Sequence, residues 1–192
     1  MKLFHQHHNN GAYSIIRSDL VKFEASVWLH TLAYSLISLF VPILLLKLGY
    51  SLELVLVYFI VLHVIDVPLN FFARRLVIRY GARAVIVIAT IAAIAYFFIF
   101  NNLSGHGLGI LLALAVLDAL YDTLYWVAHM YLFIESSDKA SDAGKNTGIL
   151  STVRSLAGKL GPSLGAALLI WGGKNGLIAA TIMLFVISII PL

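Results

Sequence analysis

The chain has 192 residues, of which 61% are hydrophobic and only 11% charged, with a mean hydropathy of +0.95. A water-soluble domain carries about a quarter charged residues, so this composition excludes a soluble globular fold. The net charge of +4 rests on 13 basic against 9 acidic residues, and the absence of cysteine excludes disulfide frameworks and thiolate metal sites.

The first 26 residues, "MKLFHQHHNNGAYSIIRSDLVKFEAS", are mixed and polar. They are expected to lie in the cytoplasm or at the membrane surface. No small-residue cleavage site follows promptly, so the first apolar run is read as a retained anchor. The cluster His5, His7 and His8 defines no coordination geometry by itself, and a solvated tail is preferred to a metal site.

Six runs of bilayer-crossing length follow, at 27–46, 52–74, 84–101, 108–134, 148–171 and 176–192. An all-α integral membrane domain over 27–192 is therefore expected, with six transmembrane helices. Short turn-like segments separate them: "KLGYSLE", "RYGAR", "NNLSGHG", "SSDKASDAGKN" and "GGKNG". Gly49, Gly105, Gly107 and Gly173 suit helix ends and tight turns, and Ser51 suits an N-cap.

Basic residues set the orientation. With the N-terminus inside, 11 of the 13 fall on the cytoplasmic side or its approaches, and only Lys47 and Lys174 fall outside. The positive-inside rule thus places the N-terminus in the cytoplasm. Topology accounts for the positive charge, and no nucleic-acid partner is needed.

Polar side chains are shared unevenly among the runs. The third offers Thr90 and the sixth Thr181 and Ser188, and both runs look lipid-facing. The fourth carries Asp118, Asp122, Tyr125 and His129 at i, i+4, i+7 and i+11, one helical face. The second carries His63, Asp66, Asn70 and Arg74 at i, i+3, i+7 and i+11, and the first aligns His30, Tyr34 and Ser38. The fifth has two such edges: Arg154, Gly158, Gly161 and Gly165, and beside it Ser151, Ser155, Lys159 and Pro162.

Ionisable groups at membrane depth cost about 2.5 to 3.5 kcal/mol on insertion scales, so they normally face a bundle interior or a watery cavity. Counted along the helices, Asp122 and Lys159 both lie roughly 18 Å deep, and His129 and Arg154 roughly 8 to 10 Å deep. These depths make Asp122–Lys159 and His129–Arg154 candidate pairs. They either hold helices together or form a proton or substrate relay. Tyr34, Tyr121, Tyr125 and Trp126 would suit an amphiphilic organic solute, or serve as packing.

The stretch "GILSTVRSLAGKLGPSLGA" resembles the helix-five signature of the major facilitator superfamily. Gly148, Gly161, Pro162 and Gly165 match its positions, while Ala157 and Ala166 replace two of its glycines. Small residues there let two helix backbones approach closely, and the proline permits a bend. The stretch "ARRLVIRYGARAVI" resembles the family's loop signature between helices two and three. Leu76, Arg79, Gly81 and Arg83 match, whereas Arg74, Ile78 and Ala82 replace the glycine, the acid and one arginine. The lost acid helps latch the cytoplasmic gate in the family, so gating would be altered or use another acid such as Asp142.

The resemblance implies the N-terminal half of a major facilitator transporter, a 3+3 inverted repeat in a bacterial-type plasma membrane. Helices one, two, four and five would line a pathway for a small solute, with proton coupling and possible antiport or export. Coupling or substrate contact would fall to Asp118, Asp122, Lys159, His63, Asp66, Arg154, His129, Tyr34 and Tyr125. No cofactor or resident metal is implied; the expected partners are the bilayer, protons and the solute. The chain is expected to be the first half of a protein of about twelve helices, or else a half-transporter that homodimerises. Two other readings stay open: an intramembrane enzyme or metal site, for which no HExxH or serine-nucleophile motif exists, and a non-transporting assembly protein.

Overall fold

The computed structural model describes residues 10–103, 107–137 and 143–192, and all regular elements among them are helical. His5, His7, His8, Gly105 and Asp142 lie outside the described residues. The helices are α1 (Asn10–Ile37), α2 (Phe40–Lys47), α3 (Leu52–Tyr80), α4 (Ala82–Asn101), α5 (Leu108–Ser136) and α6 (Ala143–Ile189).

Five stretches are long and apolar enough to cross a membrane: Leu20–Lys47, which joins α1 and α2, then α3, α4, α5, and Gly144–Ile189 within α6. The chain is an integral membrane protein by this measure. The first apolar run is interrupted by a turn at Ser38 and Leu39. Pro42 explains it, since a proline has no N–H for the Ser38 carbonyl and its ring crowds that carbonyl.

The length of α6 needs its own account, because its 47 residues as one straight helix would run about 70 Å, roughly twice the hydrocarbon thickness of a bilayer. Gly173 breaks it, at φ 63 and ψ −167. Contacts show that the chain reverses there. Ser35 of α1 donates to the Ala157 carbonyl at 3.0 Å, and Ser26 of α1 donates to the Ser188 carbonyl at 2.6 Å. Ser26 and Ser35 lie only about 14 Å apart along α1, whereas a straight α6 would separate Ala157 and Ser188 by about 46 Å. The two arms of α6 therefore run back past each other, both against α1.

The turn is anchored as well. Lys174 donates to the Asn101 carbonyl at 2.7 Å, so its ammonium satisfies an orphan acceptor at the C-terminal end of α4. At the other end of the body, Lys22, Arg83, Ser136 and Leu192 surround one small cavity. The helices thus share two common ends, with Lys174 at one and Lys22 and Arg83 at the other.

Packing follows from these placements. The closest partner of α1 is α6, while α5 lies between α3 and α4. Tyr58, Tyr96, Tyr121, Tyr125, Phe100 and Phe185 are the largest fully buried side chains. Thr90, Thr181 and Ser188 are buried inside the body rather than turned to lipid. Each bonds a carbonyl of its own helix, at Ile86, Leu177 and Phe185, so none of these three hydroxyls is left unpaired in its apolar setting. Between their ends, where Arg83 and Asn175 are exposed, the exposed residues of α4 and of the last arm of α6 are apolar, among them Val87, Ile91, Phe98, Met183 and Val186.

Two short connections use glycine or serine in specific ways. Gly81 alone separates α3 from α4, at φ 85, a region other residues rarely adopt. Ser51 caps α3 by accepting from the Leu54 N–H at 3.4 Å.

Candidate functional site in the membrane-spanning body

Three carboxylates meet where α3 and α5 cross. The Tyr58 hydroxyl on α3 donates to Asp118 Oδ2 at 2.5 Å, and lies 3.0 Å from the Tyr96 hydroxyl on α4. Thr123 donates to Asp66 Oδ1 at 2.8 Å, and His63 Nδ1 lies 3.3 Å from Asp66 Oδ2. Trp126 donates its indole N–H to Asp122 Oδ1 at 2.8 Å. Asp66, Asp118, Asp122 and His63 interact electrostatically, and the Tyr34 phenol of α1 feels all three acids. Like charges gathered in this way repel when ionised together. Among the described residues, no group of three His, Cys, Asp or Glu side chains could hold a metal ion.

Beside this cluster, α1, α5 and the first arm of α6 enclose an open groove of ≈ 750 Å³. Tyr34 and Ser38 come from α1, Trp126 and Phe133 from α5, and Arg154 and Ser155 from α6. The Arg154 guanidinium stacks over the Trp126 ring at 4.2 Å from its centroid. Trp126 therefore touches Arg154 with its face and Asp122 with its N–H, linking the groove to the acidic cluster.

The depth-matched pair of Asp122 with Lys159 is not formed. Asp122 is turned to Trp126, one turn along the same helix, and Lys159 is exposed with no ion pair among the described residues. Depth along a helix fixes height but not rotation about the axis, and here rotation separates the two. His129 and Arg154 do lie near each other, both beside Trp126, at 5.3 Å and 4.2 Å from its ring.

The face shared by Asp118, Asp122, Tyr125 and His129 splits along its length. Asp118 and Asp122 are only partly covered, whereas Tyr125 and His129 are buried. The cause is α1, which crosses that face at the Tyr125 end. His30 stacks on Tyr125 with centroids 3.3 Å apart, and Phe23 packs on His129 at 5.0 Å. His30 Nε2 also lies 2.8 Å from the Tyr121 hydroxyl, while its buried Nδ1 has no partner among the described residues, so His30 is a core histidine rather than a groove residue. On α3, His63, Asn70 and Arg74 lie exposed on the open side of the body.

The helix-five motif builds one wall. A Cβ at Gly161 would overlap the Ser35 side chain, and one at Gly165 would overlap the Leu36 carbonyl. Both glycines thus mark a close backbone approach to α1. Gly148 has open space around it, and Pro162 lies inside an unbroken helical stretch. In the loop motif, Arg79 lies 5.3 Å over the Tyr80 ring and Arg83 lines the small end cavity, while Leu76 is half-buried.

Tyr58, Tyr96 and Thr123 are the site residues that the sequence pattern did not single out. A signal for the tyrosines exists, because a phenol inside an apolar run needs a hydrogen-bond partner and so points at a polar neighbour.

Comparison with known proteins agrees with this architecture. No curated protein matches the chain. The family model described as Major Facilitator Superfamily matches residues 25–192, which takes in most of the first spanning stretch, all of the others and every residue of the cluster and the groove. The chain belongs to the Major Facilitator Superfamily, a family of membrane transporters.

Proposed function

We propose that this body is one six-helix half of a secondary transporter, with the two arms of α6 as its fifth and sixth crossings. The observation that carries this reading is the contrast between its sides. One open side bears Tyr34, His63, Asp66, Asp122 and Arg154, while the outer sides of α4 and the last α6 arm expose apolar residues. Lipid cannot satisfy such polar groups, so a second helical body and water belong against the open side. That body is either a C-terminal set of six helices in a longer chain or a second copy of this one.

In this reading the N-terminus is cytoplasmic, since Lys22 and Arg83 share one end with most of the basic residues, and the membrane is a bacterial-type plasma membrane. Asp118 and Asp122 take up and release the coupling proton, assisted by Asp66 and His63. The groove holds the solute against Tyr34 and Arg154, with His129 and Tyr125 as its rigid backing. Lys159 stays free to meet the second body or the solute. The paired Gly161 and Gly165 contact with α1 keeps this wall rigid while the halves rock.

The test is reconstitution in liposomes with a trapped pH indicator, followed by pulses of organic acids, amines and sugars. Solute-dependent proton movement that disappears in Asp118→Asn or Asp122→Asn supports the reading. Proton movement that survives both substitutions together places coupling elsewhere.

A further inference from the structure

The groove contains one charged side chain and no acid. Arg154 has no ion pair or hydrogen bond among the described residues; its guanidinium stacks on the Trp126 ring, with His129 and Tyr125 also within electrostatic reach. Stacking uses the flat face of a guanidinium and leaves its in-plane N–H donors free to bind a planar acceptor. Asp122, the acid nearest through Trp126, already accepts the indole N–H at 2.8 Å and does not neutralise the arginine. An unpaired arginine in the membrane-spanning part of a protein marks a site that a counter-charge visits. Met130 and Phe133 supply an apolar surface beside it, and Ser151 and Ser155 supply hydroxyls.

We infer that the groove selects organic anions, a carboxylate or phosphate group bound by Arg154 with an apolar body lying along Met130 and Phe133. This rests on the reading of the groove as the solute pathway and specifies the class of solute. A cation is disfavoured by Arg154. A neutral sugar finds hydroxyls but leaves the guanidinium unpaired. Trp126 gives the anion a route to the acids, because the ring that holds Arg154 in place also holds Asp122.

The experiment exploits the small number of tryptophans, Trp28, Trp126 and Trp171. In a Trp28→Phe/Trp171→Phe background, Trp126 emission in detergent is titrated with benzoate and phenyl phosphate, and with benzamide and benzylammonium as neutral and cationic matches. Saturable quenching by at least one anion is expected, about tenfold or more tighter than by either control. Arg154→Gln should remove that preference, and Arg154→Lys should keep part of it. Equal binding of benzamide or benzylammonium overturns the inference, as does an anion preference that survives Arg154→Gln or a complete lack of anion binding. The ligand comparison on unsubstituted Arg154 holds even if the Gln variant misfolds. Flux in liposomes separates this inference from the pathway reading. Benzylammonium transport blocked by Ser155→Trp would keep the pathway and overturn the anion assignment. Arg154-dependent anion binding without flux would support the assignment and overturn the pathway.

Discussion

Replacing each of three glycines on α6 by alanine tests whether the helix-five motif is a backbone contact or a coincidence of composition. Gly158, Gly161 and Gly165 lie on one arm of the same helix, so the gain in intrinsic helix propensity, up to about 1 kcal/mol in water, is common to all three and cancels in comparison. What remains is the environment of the new methyl. At Gly158 nothing lies within 4 Å, whereas at Gly161 a Cβ would meet the Ser35 side chain and backbone, and at Gly165 the Leu36 carbonyl and the Phe40 ring at 2.9 Å. Backbone atoms of α1 cannot swing aside, so α1 and α6 must separate, and overpacking of this kind costs about 1–3 kcal/mol. At Gly161 the displaced Ser35 hydroxyl also puts its 3.0 Å bond to the Ala157 carbonyl at risk. Thermal melts in detergent, followed by tryptophan emission or by loss of the monodisperse peak, should place Gly158→Ala at or above the parent. Gly161→Ala and Gly165→Ala should melt clearly below it. Coincident melting of Gly158→Ala and Gly165→Ala would refute the close contact.

Other substitutions probe separate parts of the account. Gly81→Ala should cost about 1–3 kcal/mol from backbone strain alone, since φ 85 with ψ 153 is a combination essentially confined to glycine and an added methyl would meet no atom within 4 Å; Gly81→Asn, whose tolerance is for the αL region only, should cost about as much in the same melt. Tyr58→Phe removes the donor to Asp118 and should lower stability by about 1–3 kcal/mol while shifting the pH profile of any proton-coupled flux; an unchanged profile would remove Tyr58 from the coupling group. Ser51→Ala should cost about 0.5–2 kcal/mol, towards the lower end because its capping bond is 3.4 Å long, read by denaturant titration in detergent. Lys159→Gln should leave stability nearly unchanged, since no acid pairs with it among the described residues; a loss comparable to Gly165→Ala would show a hidden ion pair.

Much of the fold was legible because the bilayer imposes a simple rule on length and polarity. Hydropathy located the helical stretches, and the uneven sharing of Asp, His and Arg marked the side left open. The glycines at 161 and 165 also spoke directly, since a small residue at fixed spacing in an apolar helix has few uses besides close approach. Rotation was harder. Asp122 and Lys159 match in depth, yet the first is turned to Trp126 and the second to the exposed surface. Helical spacing grouped Asp118, Asp122, Tyr125 and His129 correctly on one face, but periodicity within α5 holds no information about where α1 crosses it. The links from Tyr96 through Tyr58 to Asp118 join three helices. Nothing local in any one of them specifies which phenol meets which carboxylate. The break at Ser38 and Leu39 was readable from Pro42, and an uninterrupted apolar run concealed it.

Water access is the most direct measure of whether the open side lines a pathway. The chain has no cysteine, so single cysteines can be introduced without a background. Ser38→Cys and Ser155→Cys place a thiol in the groove, while Ile91→Cys and Met183→Cys place one on exposed outer surfaces, at 60% and 62% exposure. Maleimide reacts with the hydrated thiolate, so its rate in native membranes reports water at each position. The account predicts labelling at Ser38 and Ser155 about tenfold or more faster than at Ile91 and Met183, given how strongly a lipid setting disfavours the thiolate. Equal rates at all four positions, or faster labelling of the outer pair, would contradict it.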